Sequence, residues 1–317
     1  MWRDLAMKIS TVFKALFAVG VWGASFIATK IALREVPPIV VVTLRFLIGV
    51  IVLWVALRVR RLTIKIERRD WPILIVLGFD GIWFHQMLQS TGLAQGASAT
   101  NTAWYVALIP IFTALLAALF LREKLGWFKI GGIVLATLGV LLVVSKGDLA
   151  DVVAHGLPVT FGDALALASA PNWAIFSVIS KSVLKRYPPT VIMTVIMTIG
   201  WLMLVPVFML SDGFAHTTQL TANGWLSVLF LGVACSGLAY IFWYDVLHEA
   251  EASSISTFLY IEPVVTVSVA AIVLNEPIVP ATLIGGAIIL FGVWLVSRSA
   301  SISNSVHVEP IIESTFD

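Results

Sequence analysis

The side chains that could do chemistry in this sequence sit where polar groups are costly, inside long apolar runs. Asp80, His85, Gln86 and Gln89 share one run, Arg45 lies in the run before it, and Glu262 lies in a run near the other end of the chain. Gln86 and Gln89 are three residues apart and His85 and Gln89 four, so on an α-helix each pair shares a face. The five residues from Asp80 to His85 turn a helix by about 140° and put those two on different stripes. His85, Gln86 and Gln89 are therefore expected to face a cavity and hydrogen-bond a solute; the competing role is to bond neighbouring helices together. Arg45 and Asp80 stand on adjacent antiparallel runs and are expected to form a structural ion pair, with a substrate or proton switch as the alternative. Glu262, Asp80 and His85 are the candidates for proton coupling. Glu262 precedes Pro263, so its other reading is a bond to backbone groups that the proline frees.

Aromatic residues are plentiful in mid-run: Trp22, Trp104, Tyr105, Trp173, Tyr240, Tyr244 and Tyr260. They are suited to stack on an apolar or cationic solute, or simply to pack. Pro110 and Pro263 each fall near the middle of a run, where proline removes a helix hydrogen bond and makes a bend or a hinge.

The elements that position these groups follow from composition. Of 317 residues, 59% are hydrophobic and only 12% charged, against about 25% charged in soluble domains. Ten runs have the length of a spanning helix, about 20 residues: 13–33, 38–57, 71–91, 98–121, 127–145, 159–180, 190–210, 223–246, 253–274 and 280–297. Barrel strands would be shorter and would alternate. Arg3, Lys8 and Lys14 precede the first run as they would in a signal peptide. Its length, and the second run that follows at once, make it a retained helix. With the amino terminus inside, sixteen Lys and Arg fall in inner segments and only Arg34 and Lys146 in outer ones. That asymmetry predicts a multi-pass protein of the plasma (cell inner) membrane with both termini cytoplasmic.

The chain repeats itself. Trp22, Lys30 and Pro37-Pro38 recur as Trp173, Lys181 and Pro188-Pro189 at an offset of 151 residues, and Pro110 and Thr113 recur as Pro263 and Thr266 at 153. Leu121-Arg122-Glu123-Lys124 matches Leu274-Asn275-Glu276-Pro277, Gly131-Gly132 matches Gly285-Gly286, and Gly139 matches Gly292. Five runs per copy is an odd number, so the copies face opposite ways. The predicted fold is an all-α polytopic membrane protein, ten transmembrane helices as two inverted five-helix repeats. Its parts are a cytoplasmic tail (1–12), a first repeat (13–145), an extracytoplasmic linker (146–158), a second repeat (159–297) and a disordered cytoplasmic tail (298–317). The paired glycines give small faces for close helix packing in the fifth and tenth spans.

At these residues the chain resembles the EamA branch of the drug/metabolite transporter superfamily. The likeness rests on Trp22-Gly23-Ala24-Ser25-Phe26, on Arg45-Phe46, on Ala99 to Pro110 and on to Glu123, on Ser253 to Pro263 and on to Glu276, and on the glycine-bearing fifth and tenth spans. It covers about 13–297. The second copy departs from the first at Asn172 and lacks an arginine matching Arg45. The resemblance implies a ten-span carrier with a central cavity lined by spans one, three, four, six, eight and nine, to which Ser25, Asn101 and Asn172 would contribute.

Inverted repeats can rock about a midplane site and expose it to each side in turn. The expected function is therefore secondary-active or facilitative transport by alternating access, and the resemblance implies that it exports small metabolites such as amino acids. A passive solute channel is the alternative, and a non-transporting membrane enzyme or scaffold the remote one. The sequence has no phosphate-cradling loop, no His-Glu-x-x-His pair and no Gly-x-Ser-x-Gly elbow, and its single cysteine, Cys235, permits no disulfide framework. Neither enzymatic activity nor a cofactor or metal is expected. The expected partners are a small-molecule substrate and the lipid bilayer, with no nucleic acid or nucleotide, in a monomer or weak homodimer.

Overall fold

The computed structural model describes residues 9–120, 126–148, 152–154, 159–249 and 257–305. The expected Leu121–Lys124 motif, Ser253, much of the 146–158 linker and the outermost residues of both tails lie outside them. The described residues are helical throughout, without a strand. In chain order they form α1 (Ile9–Ala32), α2 (Pro38–Val59), α3 (Trp71–Leu77), α4 (His85–Ala94), α5 (Ala99–Val106), α6 (Ile109–Phe120) and α7 (Trp127–Val144). Then follow α8 (Phe161–Leu184), α9 (Pro189–Leu210), the short α10 (Gly213–Thr217), α11 (Ala222–Leu229), α12 (Ala239–Glu249), α13 (Ile261–Val273) and α14 (Pro280–Ser305). α14 continues past the expected boundary at 297, so 298–305 are helical.

Eight helical stretches among the described residues are long and apolar enough to cross a membrane. Of the other two expected spans, one is α8, which has 24 residues but carries Asp163 and polar residues along its length. The other is the shorter apolar stretch Phe258–Val273. A membrane allows such interruptions only where protein covers them.

Two stretches are not α-helical. Gly78–Phe84, between α3 and α4, and Phe230–Leu238, between α11 and α12, are wide π-turns. Two other spans break where proline stands. α5 ends at Val106 and α6 restarts at Ile109, with Pro110 in its first turn. α13 begins at Ile261, with Pro263 in its first turn, after a tight 3-10 turn over Thr257–Tyr260. Proline is tolerated in a first turn because the N–H it lacks has no helical acceptor there. Each expected mid-helix bend is thus a break, with the proline opening the second piece.

α7 and α14 pack along their lengths, and glycine is the reason they can. A Cβ on Gly132 would stand 2.5 Å from the Gly292 carbonyl, and one on Gly292 equally close to the Gly132 carbonyl. Gly139 and Gly285 do the same at 2.6 and 2.7 Å. Two of the six expected packing glycines lie elsewhere. Gly131 faces open space, and Gly286 lies under the Trp104 ring. Adjacent helical residues point about 100° apart, so Gly131-Gly132 and Gly285-Gly286 cannot each present one face. The contacts also set the register: Gly132, not Gly131, stands in the place that Gly285 holds in the other helix.

Lys and Arg gather at one end of the bundle, where Arg60 of the α2–α3 loop reaches Asp245 of α12 and Arg186 after α8 reaches Asp70. The opposite end is held by Lys30 of α1 on Glu276, and by Glu35 accepting from the Thr221 N–H and hydroxyl at 2.7 and 2.8 Å.

Candidate functional site

A cavity of ≈ 210 Å³ lies in the middle of the bundle. α1 contributes Trp22, Ser25 and Phe26, α2 contributes Arg45, and α4 contributes His85, Gln86 and Gln89. The α5–α6 break contributes Val106, Ala107, Ile109 and Pro110, α8 contributes Trp173, α12 contributes Tyr240, and Leu259, Tyr260, Glu262 and Pro263 with Ser297 complete the wall. Both proline breaks therefore open onto the same space. A helix that stops and restarts there leaves its last carbonyls and first N–H groups without helical partners.

Arg45 and the Glu262 carboxyl group both reach this cavity without pairing with each other. Arg45 is 5% exposed. Its Nε donates to Ser236 Oγ at 3.1 Å and its Nη1 to Gln86 Oε1 at 3.2 Å, while Nη2 has no acceptor among the described residues. Its planar fork is thus held from both sides with donors left over. The Glu262 side chain has no hydrogen-bond or ion-pair partner among the described residues, although it lines the same cavity. Aromatic rings form much of the same wall. Trp22 meets Tyr240 edge-on at 5.6 Å and is fixed by its indole N–H on the Cys235 carbonyl at 3.1 Å. Trp173 lies 4.7 Å from the His85 ring, and the Tyr260 hydroxyl donates to Ser297 at 3.3 Å.

The expected Arg45–Asp80 ion pair is not formed. Asp80 instead accepts from Asn172 Nδ2 at 2.6 Å, and the Asn172 carbonyl oxygen bonds His85 Nδ1 at 3.1 Å. Because Asn172 donates to the carboxylate, its oxygen is free to accept, and His85 Nδ1 carries the hydrogen. The reason is the π-turn. Its i to i+5 hydrogen bonds, including the His85 N–H to the Asp80 carbonyl, bring residues five apart nearly into line, where an α-helix would separate them. Asp80 thus turns toward α8 and not α2, and its Oδ2 is buried without a partner among the described residues. Asn172 stands behind the cavity wall and orients His85.

Four further residues expected at the cavity lie elsewhere. Asn101 and Tyr105 point into α8, where Asn101 Nδ2 and the Tyr105 hydroxyl donate to Asp163 at 3.4 and 3.1 Å. Asp163 is engaged in a capping box: the Thr160 hydroxyl accepts from the Asp163 N–H at 3.0 Å while Asp163 accepts from the Thr160 N–H at 3.1 Å. Trp104 is buried against Gly286, its indole N–H unpartnered. Tyr244 lines a different cleft, at the basic end.

Above the cavity, at the end opposite the basic one, the chain is latched. Glu276, in the turn between α13 and α14, accepts from Lys30 Nζ at 3.1 Å, from the Ala99 and Thr100 N–H groups at 3.1 and 3.3 Å, and from the Thr100 hydroxyl at 2.8 Å. Those N–H groups open α5, where a helix favours an anion. Burial pushes the Glu276 carboxyl up, but the bonds from Thr100 and Lys30, the Lys30 charge and the Ala99 N–H outweigh it and hold the group below the usual carboxylate range. Beneath it Phe26, Ile27, Leu93, Ala99, Ala103 and Ala270 form an apolar plug. Lys30 is five residues beyond Ser25, so the latch stands about 7.5 Å above the cavity wall.

The sequence reading missed Arg45, Phe26 and Ser297 as wall residues, the π-turn and the latch. Polar character inside a span flagged Arg45, but assigning it to Asp80 hid its exposure to the cavity.

A family profile described as the EamA-like transporter family matches this chain twice, over residues 9–145 and 160–298. An uncharacterized transporter of Archaeoglobus fulgidus is 31% identical over 277 residues, which is 87% of this chain and 95% of that protein. A protein of Salmonella typhimurium named as a probable amino-acid metabolite efflux pump is 28% identical, over 92% of this chain and 98% of its own length. A probable terminal-alkyne amino-acid exporter of Streptantibioticus cattleyicolor is also 28% identical, over 92% of this chain and 95% of that protein. A crystal structure superposes with a TM-score of 0.66 at 20% identity, covering 91% of this chain and 98% of the other, and shares the fold.

Proposed function

This chain belongs to the EamA-like transporter family of multi-pass membrane proteins, and on that premise we propose that it exports a small zwitterionic metabolite of the amino-acid class by alternating access. The observation that carries this reading is an arginine with free donors and an unpartnered carboxyl group in one small cavity. The free donors of Arg45 suit a carboxylate, which a guanidinium binds by two parallel bonds. Glu262, across an aromatic wall, suits an ammonium group. A zwitterion satisfies both at once; a simple anion or cation leaves one buried charge uncompensated, which is costly. The names of two relatives point to the same class.

The ten-span, inverted-repeat reading supplies the motion. It is supported by the two matches to one profile and by the π-turns at 78–84 and 230–238, which stand 152 residues apart at their starts. It is supported too by the reciprocal glycine contacts of α7 and α14. The charge asymmetry supports an orientation with the basic end in the cytoplasm and the protein in the plasma membrane. In that orientation the Glu276 latch closes the outer side. Opening it, with the proline breaks at 107–110 and 257–263 as hinges, would release solute outward.

Purified protein in liposomes, tested for counterflow of labelled amino acids, checks the proposal. Saturable counterflow is expected, lost in Arg45→Lys and Glu262→Gln, because Lys cannot reproduce the fork. A channel would give flux without counterflow. Flux of a singly charged solute in preference to every zwitterion would overturn the substrate class.

A further inference from the structure

At the basic end, away from the central cavity, a second cleft of ≈ 520 Å³ lies between the end of α2, the α8–α9 turn and α12. Its wall holds three cations, Arg60, Lys185 and Arg186, beside Tyr244 and the first turn of α9. Two of the cations are braced. Arg60 makes a two-pronged pair with Asp245, 2.7 Å on each prong, and donates to Thr190 at 3.3 Å. Arg186 places Nη2 on Asp70 at 2.8 Å and Nε on the Ser182 carbonyl at 3.2 Å. Lys185 has no partner among the described residues, and Arg186 keeps Nη1 free of them. The cleft therefore offers at least five N–H donors from two cations, three on the Lys185 ammonium and two on Arg186 Nη1, to one entering group. Asp245 is already matched by Arg60 and by Lys14 at 3.8 Å, so it does not cancel that offer.

The position of the cleft identifies the entering group. It sits where α2 leaves the apolar layer. α2, the helix that leads to the cleft, turns Trp54, Val55 and Val59 outward, 39%, 57% and 77% exposed, and Trp54 bonds Thr198 across the α2–α9 seam at 3.2 Å. A ligand filling the cleft with its head therefore finds an apolar stripe for its tail. Basic pockets between spanning helices are suited to anionic lipid headgroups. We propose that this cleft binds a phosphate group, and that its source is the headgroup of an anionic phospholipid seated in the α2–α9 seam.

The test uses the full chain in nanodiscs of phosphatidylcholine containing a minority of phosphatidylglycerol, with native mass spectrometry counting the anionic lipids retained. Lys185→Gln should weaken retention about fivefold and Lys185→Glu about 30-fold, the effect of one and two charge units at about 1 kcal/mol each near an anionic surface. Lys65→Glu, an exposed charge change at the same end outside the cleft, should leave retention unchanged. Lys185 is exposed, so these variants should fold and give counterflow as the wild type does; this separates failure here from failure of the transport reading. If phosphatidylglycerol is retained equally by all variants, but inorganic phosphate raises the Tm of wild type and not of Lys185→Glu in pure phosphatidylcholine, the phosphate site stands and its source is soluble. Equal retention with no phosphate effect, or equal losses in Lys185→Glu and Lys65→Glu, would overturn the proposal.

Discussion

Replacing Glu276 with Gln tests the latch most directly. The carboxylate takes four hydrogen bonds on two oxygens, one of them from a charged Lys30. Gln keeps one acceptor oxygen and turns the other into a donor facing the donors of its neighbours. Bonds to charged groups contribute about 1.5–3 kcal/mol each when buried, and Glu276 is partly exposed, so a combined loss of about 2–3 kcal/mol is the expected scale. That is a shift of roughly 30- to 150-fold between latched and open forms. If the wild type favoured the latched form by about 99 to 1, the variant would lie between about 3 to 1 and 0.6 to 1. Spin labels on cysteines at Gln95 and Ile278, both exposed, would report the gap by double electron–electron resonance. The native Cys235 is buried and stays unlabelled. Wild type should give one short distance and Glu276→Gln a second, longer one of comparable weight. Because the Glu276 carboxyl is held low, its contribution is complete above the ordinary carboxylate range and is lost only as pH falls through the depressed value. The wild-type distance should therefore not change between about pH 6 and 8, well above the free Glu value near 4.3. A variant with the wild-type distribution would refute the latch, as would a wild type that opens on passing from pH 8 to 6.

Other outcomes follow from single contacts. Gly139→Ala should lower Tm by an amount equivalent to about 1–3 kcal/mol, because the new methyl meets the Gly285 carbonyl, which cannot move aside alone. Gly131→Ala should be neutral or raise Tm, since nothing lies near its Cβ position and alanine favours a helix by about 1 kcal/mol over glycine. Equal effects of the two would contradict the register of α7 on α14. Asn172→Leu strips the partner from both Asp80 and His85 and should destabilise by about 2–3 kcal/mol; Asp80→Asn in that background should recover part of the loss by removing the stranded charge, and no recovery would dismiss the link. Tyr105→Phe leaves the Asp163 cap with its remaining donors, so Tm should fall by about 1 kcal/mol while counterflow KM stays unchanged; a shifted KM would return Tyr105 to the cavity.

Apolar length was legible for eight of the ten expected spans and close packing for four of the six glycines, because burial in lipid leaves few backbone choices. The cavity was legible in span three, where helical spacing puts the polar groups on one side: His85, Gln86 and Gln89 stand in its wall. It was misread where a rival existed. Asn101 and Tyr105 look like free mid-span polar groups until Thr160 and Asp163 are seen to cap α8 beside them. The Asp80–His85 relation could not be read on an α-helical wheel, because the wheel assumes the period that the π-turn changes. The glycines at 78 and 81, and at 232 and 237, mark both π-turns. Alone they signal only close packing.

The contacts between α7 and α14 have the symmetry of an isologous interface, in which i meets j and j meets i. Gly132 meets Gly292 as Gly139 meets Gly285. Under the proposed duplication, that is how two separate subunits would once have met as a homodimer. In a homodimer every useful residue comes twice, and an arginine good for one side of a pocket is imposed on the other. Joining the copies in one chain ends that obligation. Arg45 can then face Ser236 with no mirror-image arginine, and the pocket is free to become lopsided, as the proposed head-to-tail ligand would require.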